Sequence, residues 1–417
     1  MKVAGIIAEY NPFHNGHQYQ IKQIRKETGA DYVVVIMSGN FLERGVPAIT
    51  DKYSRSRMAL QCGADLVLEL PTLWASASAE RFANAGVSLL ASTHIVDTIC
   101  YGAEQPDSAL MQKIVRILNS HSSYNEALLA FQKQGLTFPA SRARALRLLL
   151  PDYDEAEVLA FLSAPNNILA LEYEKAIAGW NATHTHQIEG HGIKRIGGGY
   201  HDETLHQEYS SATAIRNLLL DSDKAATDDL HSQVPPFVYE QLIEDAAKKG
   251  SLMDTNDFSA ALYARLWTYH KMGYTQFADC STELSNKIIN HLDQFTSFTE
   301  FAMLLKTREV TYTRVCRVLI HILLNIRQDD YAAYAPDTAY LRILGFRRES
   351  LELLSAIKKE ASLPLVTKMA DASHILSTQA AELLRLDIAA ADLYRSIRSI
   401  RLGQTEQNEF TQPLIIL

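Results

Sequence analysis

The chain has 417 residues, of which 47% are hydrophobic and 21% are charged, so it can bury a large core and is not a disordered protein. Its formal net charge of −8 excludes a globally basic nucleic-acid binder, so any contact with a nucleic acid needs a local basic face. No apolar run approaches the ~18 residues of a membrane span, and the N-terminus is too short and polar for a signal peptide, so we expect a cytoplasmic protein without a membrane partner.

The N-terminal part of the chain alternates strand and helix patterns. Strands are predicted at 3–8, 32–37, 66–70 and 95–102 because short β-branched runs there end at Asn-Pro, Gly or Pro. Helices are predicted at 17–28, 52–62 and 76–91. This order predicts βαβ units and a parallel sheet with right-handed crossovers.

The remainder of the chain is predicted to be mainly helical. A helical insert at about 106–180 precedes a strand at 183–190 and a helix at 210–220. Further helices are predicted near 236–249, 257–271, 282–293 and 310–326. The fold class is therefore α/β: a Rossmann-like parallel sheet with a helical insert in 1–220, a linker at 221–236 and an all-helical domain at 237–417.

Two histidines stand where the first strand meets the first helix. His14 and His17 are three residues apart with Gly16 between them, at the carboxyl end of a strand where α/β proteins bind ligands. The helix N-terminus favours anions there, and the absence of GxGxxG and GxxxxGK[ST] leaves a phosphate site built from imidazoles and a helix dipole. Structural histidines are the alternative, since HxxH is a weak motif by itself and lacks a third ligand for zinc.

Several motifs occur in a characteristic order, and together they are specific. They are EYNPFHNGH (9–17), SGNFLERGVPAITDKYSRSRMAL (38–60), ADLVLELP (64–71), PNNILALEY (165–173), KRIGGGYHD (194–202), SATAIR (211–216) and YLRILGF (340–346). In this order the chain resembles the bacterial tRNA(Met) cytidine acetate ligase family, which belongs to the HIGH-type nucleotidyltransferase superfamily. The chain departs from the family pattern at Glu43, Ala170 and Gly198, where Gln, Gly and Ala are usual.

The resemblance implies an ATP-dependent ligase with two steps. ATP, with Mg²⁺ brought by the nucleotide, activates acetate as acetyl-adenylate and releases pyrophosphate. The acetyl group then passes to the exocyclic amine of the wobble cytidine of elongator tRNA(Met). Because acetate is already an anionic nucleophile, the first step needs charge stabilisation more than a base, and His14 and His17 are the catalytic candidates.

The ATP site implied by the resemblance draws on several parts of the chain. Its residues are Ile7, Ala8, Glu9, Tyr10, Asn11, Pro12, Phe13, His14, Asn15, Gly16, His17, Gln18, Tyr19, Gln20, Gly102, Asn166, Asn167, Arg195, Ile196, Ser211 and Thr213. The structural alternative for Gly102 is a turn glycine, for Asn166 and Asn167 it is a helix cap, and for Arg195 it is a solvated charge. For Ser211 and Thr213 it is an N-cap box, followed in the chain by Arg216.

A basic stretch supplies candidates for RNA binding. Lys306, Arg308, Arg314 and Arg317 fall in 306–327, where an apolar stripe predicts an amphipathic helix with a basic outer face. The alternative is a merely solvated charge run. The resemblance places the tRNA-binding domain in this helical half.

Two clusters are assigned to structure instead of function. His184, His186 and His191 lack a fourth ligand at zinc spacing, so we expect no metal there. Tyr263, Trp267 and Tyr269 are expected to pack in a core and not to stack on bases. The four cysteines are well separated and are expected to be reduced thiols.

Two other functions remain open on the sequence. One is a small-molecule adenylyltransferase that acts on another carboxylate or a phosphate and uses its helical half for dimerisation. The other is a non-catalytic RNA-binding protein with a regulatory nucleotide pocket. Dependence of pyrophosphate release on acetate separates these from the ligase.

Overall fold

The computed structural model describes residues 1–106, 109–120, 122–196, 209–220 and 228–417. An eight-stranded sheet forms the centre of the described chain. Its strands are β1 (Val3–Ala8), β2 (Tyr32–Ser38), β3 (Leu66–Leu70), β4 (Thr98–Ala103), β5 (Glu189–Lys194), β6 (Leu341–Phe346), β7 (Leu365–Val366) and β8 (Ile415–Ile416).

The strand order β5-β4-β1-β2-β3-β6-β7 contains a Rossmann-type parallel core. The five strands from β5 to β3 pair in parallel, whereas β6 joins β3 antiparallel. The chain reverses its winding between β1 and β4, and ligands bind beyond the carboxyl ends of strands at such a switch point. The predicted α/β class is therefore confirmed, and the topology locates the site.

Helices cover both faces of the sheet and form the insert. The N-terminal helices are α1 (Asn15–Thr28), α2 (Lys52–Gln61), α3 (Thr72–Ala75) and α4 (Ala79–Ala91). The insert consists of α5 (Ala109–Ser120), α6 (Ser122–Lys133), α7 (Phe138–Leu149), α8 (Glu155–Ser163) and α9 (Pro165–Thr183), and α10 (Ala212–Leu220) follows β5. The insert is thus helical, as predicted.

The C-terminal half carries the remaining helices. They are α11 (Asp228–Gln233), α12 (Pro236–Ala247), α13 (Ser259–Tyr269), α14 (Thr282–His291), α15 (Phe298–Leu305), α16 (Tyr312–Leu324), α17 (Asp330–Ala333), α18 (Leu351–Glu360), α19 (Ala372–Ile375) and α20 (Thr378–Leu402). No helix in the described part of the chain is both long and apolar enough for a bilayer crossing.

Alternation along the strands builds a separate core on each side of the sheet. Val34 and Ile36 of β2 belong to one buried cluster, and Val33 and Val35 belong to the other. A third cluster joins α13, α15, α16 and α20, and it includes Phe41 from the loop after β2. The C-terminal helices therefore pack directly on the loop at the carboxyl edge of the sheet.

Three predictions about elements are corrected. The half after residue 236 is not all-helical, because β6, β7 and β8 complete the sheet. The strand predicted at 183–190 begins only at Glu189, since α9 continues to Thr183 and a turn follows. In the predicted linker, 221–227 lies outside the described residues and Asp228–Gln233 is helical. The domain boundaries themselves stay predictions.

A buried ionic cluster holds the C-terminal segment to the sheet. Lys52 Nζ lies 2.8 Å from Glu69 Oε1 and 2.7 Å from Glu409 Oε2. The guanidinium of Arg342 lies 2.8 Å from Glu69 Oε2 and 2.6 Å from Glu409 Oε2. Because two cations face two carboxylates, the charges compensate one another in the interior, and loss of one member would leave an unpaired buried charge.

Candidate nucleotide and acyl-transfer site

A solvent-open cleft lies at the switch point of the sheet. Its walls come from the ends of β1 and β4, the loop after β2, helix α9, Arg195, and the start of α10. The space between these walls, including the part open to solvent, is about 1160 Å³, and an adjoining cavity of about 460 Å³ measured in the same way shares His14, His17, Gln20, Gly102 and Arg195. The cleft therefore lies where open α/β sheets bind their ligands, beyond the carboxyl ends of the strands.

The two histidines form an interlocked pair at the start of α1. His14 caps the helix: its Nδ1 accepts from the backbone N–H of Gly16 at 3.1 Å, and the His17 Nδ1 accepts from the His14 N–H at 3.2 Å. The two rings stack with centroids 3.7 Å apart. A Cβ at position 16 would lie 2.9 Å from the His14 ring, so glycine is needed for this geometry. The imidazoles thus act as an unusual capping box.

These contacts and the burial of the rings settle their protonation. Burial lowers the pKa of His14 to about 3, helped by the nearby charges of Arg195 and Arg216. Burial, the neighbouring His14 and Arg195 hold the pKa of His17 well below its ordinary value. Each Nδ1 accepts a hydrogen bond, so the proton of each neutral ring is on Nε2. The pair therefore offers two Nε2–H donors.

The opposite wall carries basic side chains. Arg195 lines both cavities and its side chain passes over Gly102, where a Cβ would meet Arg195 Cγ at 3.3 Å. Arg216 Nη1 donates to Asn11 O at 2.7 Å, and its Nη2 donates to Thr213 Oγ1 at 3.0 Å. Ser211 Oγ accepts from the Ala214 N–H at 3.1 Å, which caps α10. Cationic groups and a helix N-terminus therefore converge on the cleft, as a polyphosphate site requires.

The structure distinguishes the two asparagines of the insert. Asn166 lines the cleft, and its Nδ2 donates to Glu104 Oε1 at 2.6 Å. Asn167 is behind the wall: its Oδ1 accepts from the backbone N–H groups of Glu104 and Gln105, both at 3.1 Å. Of the two predicted asparagines, only Asn166 thus lines the cleft, because the side chain of Asn167 holds the turn after β4.

Most of the predicted ATP-site residues line one of the two cavities. They are Ile7, Ala8, Glu9, Tyr10, Asn11, His14, Gly16, His17, Tyr19, Gln20, Gly102, Asn166, Arg195, Ile196, Ser211 and Thr213. Pro12, Phe13, Asn15 and Gln18 do not line either cavity. Phe13 is fully buried, the Asn15 side chain donates to Ser232 O, and the Gln18 side chain accepts from Lys22. These side chains therefore point away from the cleft. The triple glycine at 197–199 lies outside the described residues.

Sequence reasoning missed the contribution of the loop after β2. Leu42, Glu43, Arg44 and Val46 line the cleft together with Phe82, Tyr101, Leu169, Tyr173 and Arg216. The available signal was that β2 ends at the same sheet edge as β1, which brings its loop to the same site. Arg55, fully buried on α2, donates to the carbonyls of Glu9, Ser38 and Gly39 and so holds the ends of both strands.

Two carboxylates face each other at this loop. Glu9 Oε1 accepts from the backbone N–H of Glu43 at 2.8 Å. Burial raises the pKa of Glu9, and burial raises the pKa of Glu43 to about 7, with Glu9 adding to that rise and Arg317 opposing it. The cleft therefore contains a carboxyl group that titrates near neutrality beside the basic wall.

The predicted RNA-binding residues divide into two groups. Lys306 and Arg308 are exposed. Arg317 is not on an outer face: its side chain is 13% exposed, and it lies 3.4 Å from Glu43 Oε1 and 3.6 Å from Asp279 Oδ2. Arg314 Nη2 donates to Asp279 O at 3.3 Å. The expectation of one basic outer face is wrong for Arg317, because α16 packs on the cleft loop.

The histidines set aside as structural make ordinary contacts. The His184 ring stacks on Trp180, His186 Nε2 lies 2.9 Å from Val96 O, and His191 Nε2 lies 3.0 Å from Glu27. His184 and His186 precede β5, so they do not share a strand face. Among the residues with described positions, no three ligating side chains are grouped for a metal. The expectation of no protein-held metal stays a prediction.

The aromatic group on α13 corrects another expectation. Trp267 is 49% exposed and Tyr263 is 37% exposed, whereas Leu262 and Leu266 are buried. The helix turns its leucines inward, and the aromatic rings at i and i+4 face outward. Tyr263 and Trp267 are therefore not core residues.

Sequence comparison places these features among known proteins. A family model described as HIGH Nucleotidyl Transferase matches residues 1–409. A tRNA(Met) cytidine acetate ligase of Clostridium perfringens is 37% identical over 401 residues, covering 94% of this chain and 95% of the relative. One of Acetivibrio thermocellus is 36% identical over 422 residues, covering 100% of both.

Solved structures are similar over the whole chain. The crystal structure of apo Thermotoga maritima TmcAL has a TM-score of 0.91 and 29% identity, covering 100% of both chains. The same protein bound with alpha-thio ATP has a TM-score of 0.89 at 29% identity, again covering 100% of both. That relative therefore binds an ATP analogue on a closely similar backbone.

Proposed function

The chain belongs to the tRNA(Met) cytidine acetate ligase family of HIGH nucleotidyltransferases, and from that premise we propose how its own residues carry out the two steps of the reaction. The protein is an ATP-dependent ligase that activates acetate and transfers the acetyl group to the wobble cytidine of tRNA(Met). The observation that carries the proposal is the neutral His14–His17 pair, whose Nε2–H donors stand at a helix N-terminus in the cleft at the switch point of the sheet.

In the first step a carboxylate oxygen of acetate attacks the α-phosphorus of ATP, and pyrophosphate leaves as the Pα–O bond breaks. Negative charge grows on the phosphate oxygens, so donors that are already in position stabilise the transition state without reorganisation. His14 and His17 are proposed to donate to the phosphates from one side. Arg195 and the start of α10 at Ser211 and Thr213 are proposed to bind the polyphosphate from the other side.

In the second step the exocyclic amine of the cytidine attacks the acetyl carbonyl, and AMP leaves as the acyl C–O bond breaks. The amine nitrogen releases one proton to solvent and AMP keeps the electron pair of the broken C–O bond, so the product is a neutral amide. The target base has to leave its stack to reach the cleft. The exposed Lys306 and Arg308 are proposed to contact RNA phosphates, while Arg314 and Arg317 are proposed to position the cleft loop through Asp279 and Glu43.

Magnesium is proposed to enter with the nucleotide. Mg²⁺ prefers oxygen ligands and commonly binds through substrate phosphates plus one or two carboxylates. Glu9 and Glu43 line the cleft and are of this chemical type, so the site fits the ion. When bound, the ion would neutralise charge on the phosphates. Glu9 is kept in place for such a contact by the Glu43 N–H.

The experiment separates the two steps and the alternatives. Purified protein is assayed for ATP–pyrophosphate exchange with acetate, with propionate and without an acid. Acetylcytidine is then measured by mass spectrometry on a tRNA(Met) transcript with cytidine at the wobble position and on a matched transcript with uridine there. We expect acetate-dependent exchange and acetylation of the cytidine transcript only. Exchange that responds to another acid and yields no acetylcytidine would indicate the adenylyltransferase, and RNA binding without pyrophosphate release would indicate the non-catalytic protein.

A further inference from the structure

Helix α13 presents a row of rings to solvent. Tyr263 and Trp267 are exposed and four residues apart on α13, so they lie along one side of the helix, and the exposed Lys271 follows in the turn after the helix ends at Tyr269. On the other side, Leu262 and Leu266 are fully buried in the C-terminal core. Exposing a tryptophan and a neighbouring tyrosine to water is unfavourable in free energy, because each ring carries a large apolar area. Neighbouring exposed rings of this kind indicate a contact surface for a partner.

The rings have a defined arrangement. Tyr263 stacks on Phe295 with centroids 5.0 Å apart, and Phe295 in turn lies 5.0 Å from the fully buried Phe301. Trp267 lies edge-on to Tyr263 at 6.2 Å and contacts the ring of His270 at 5.0 Å. The row is therefore anchored in the core, and a partner that stacks on it needs little ordering of side chains.

The charge of this helix suits a polyanion. From 258 to 274 the chain carries Arg265 and Lys271 and contains no aspartate or glutamate. Arg265 lies over the Tyr269 ring at 5.6 Å, on a different side of the helix from Tyr263 and Trp267, so Lys271 is the cation that follows the row. Exposed aromatic rings near a cation are the combination that single-stranded nucleic acids use, because bases stack on rings while phosphates meet the cation.

The N-terminal end of α13 packs on the loop that lines the cleft. Phe258, directly before α13, packs against Phe41 with ring centroids 5.5 Å apart, and the next residues, Leu42 and Glu43, line the cleft. Trp267 is eight residues beyond the start of the helix at Ser259, which corresponds to about 12 Å along its axis. That length is within the reach of a few unpaired nucleotides next to the base that enters the cleft.

We propose that Tyr263, Trp267 and Lys271 form a stacking platform for unpaired bases of the tRNA anticodon loop next to the target cytidine. The proposal rests on the proposed function, since it assumes that the cleft receives a cytidine of that loop. A flipped cytidine leaves its neighbours without their stacking partner, and the platform replaces that partner. Trp267 thereby acts as a positioning residue for the transfer step and has no part in activating acetate.

Intrinsic fluorescence provides a direct test. The chain has three tryptophans, and Trp74 and Trp180 are 3% and 7% exposed, so the emission that responds to a ligand on the surface comes from Trp267. A tRNA(Met) transcript should quench this emission, and Trp267→Phe should abolish the quenching. An RNA duplex of the same length with blunt paired ends should quench weakly, because its bases are not available for stacking.

Binding and turnover of variants provide the second test. Trp267→Ala should raise the Kd for the transcript about 5- to 100-fold, as expected for loss of one stacking ring, and Trp267→Phe should stay within a few-fold of wild type. Both should retain acetate-dependent pyrophosphate exchange, which also reports a folded protein. Leu148→Ala, which removes an exposed apolar side chain from α7, is the matched control and should change neither.

Three results would overturn the platform. One is an unchanged Kd in Trp267→Ala together with intact exchange. Another is an equal loss of affinity in Trp267→Phe and Trp267→Ala. The third is Trp267 emission that changes with protein concentration in the absence of RNA, together with a dimer in sedimentation that Trp267→Ala dissociates. In that case a second copy of the chain, and not RNA, would cover the row. Absence of acetate-dependent exchange in the wild type would instead contradict the proposed function.

Discussion

The Arg317 guanidinium lies 3.4 Å from the carboxylate of Glu43, so helix α16 of the C-terminal half is bonded to the loop that lines the nucleotide cleft. The backbone supports the same junction, because Gly45 lies directly against the backbone of Cys316 and Arg317. Residues of both halves therefore support one wall of the cleft. Substitutions on α16 are expected to change the rate of acetate activation.

Arg317→Ala should lower acetate-dependent pyrophosphate exchange, because it releases Glu43 and the loop around it. Arg308→Ala is the matched control: it is exposed, so it should leave exchange unchanged and reduce the slope of log tRNA affinity against log salt by about one. Exchange kinetics and filter binding at several salt concentrations measure both effects. Equal behaviour of the two variants in both assays would contradict the role of Arg317 in positioning the cleft loop.

Glu43→Gln should change how stability depends on pH. Burial raises the pKa of Glu43 from 4.5 to about 7, so between these values the folded state binds more protons than the unfolded state. The free energy of unfolding of the wild type therefore falls as pH rises from 4.5 to about 7, by at most about 3 kcal/mol from this group.

Urea unfolding at pH 5 and pH 8 tests this titration. Glu43→Gln removes the titrating group, so its stability relative to wild type should be higher at pH 8 than at pH 5. Glu349→Gln, a change at an exposed carboxylate, is the control and should show no such difference. A Glu43→Gln variant whose relative stability is the same at both pH values would show that the group titrates at its ordinary pKa.

His17→Ala should slow acetate activation. The Nε2–H of His17 is a pre-positioned donor, and removal of one such donor costs roughly 2–4 kcal/mol of transition-state stabilisation, which corresponds to a rate loss of about 30- to 900-fold. The His14 N–H also loses its acceptor, so thermal unfolding has to be measured alongside. His374→Ala, at an exposed position on α19, is the control. Wild-type exchange rates in a folded His17→Ala protein would contradict the catalytic assignment.

Gly45→Ala should destabilise the protein more than Gly135→Ala does. Both glycines have positive φ, +70° and +83°, so both variants share the left-handed backbone cost of about 1–2 kcal/mol. A Cβ at position 45 would meet backbone of Cys316 and Arg317, whereas nothing lies within 4 Å of one at position 135. Differential scanning calorimetry should show the larger loss for Gly45→Ala, together with reduced exchange. Equal losses of stability in the two variants would mean that the loop around Gly45 can move away from α16 at little cost in free energy.

Local patterns in the sequence determined the N-terminal elements and the position of the site. Apolar runs ended by Pro and Gly predicted β1, β2 and β3 closely, and the HxxH after the first strand predicted the edge of the sheet where the cleft lies. Family motifs predicted most of the residues that line the cleft. These features depend on residues that are close together in the chain, so a local sequence pattern is enough to predict them.

Tertiary contacts decided the rest, because they join residues far apart in the chain. No local pattern specifies the partner of β3, which is β6, or the partner of Glu43, which is Arg317. In the same way, no local pattern shows that the side chain of Asn167 binds the turn after β4 and does not line the cleft. The pattern of α13 predicted a helix correctly but wrongly assigned Tyr263 and Trp267 to the core. Only packing of Leu262 and Leu266 against the C-terminal core left Tyr263 and Trp267 facing the solvent.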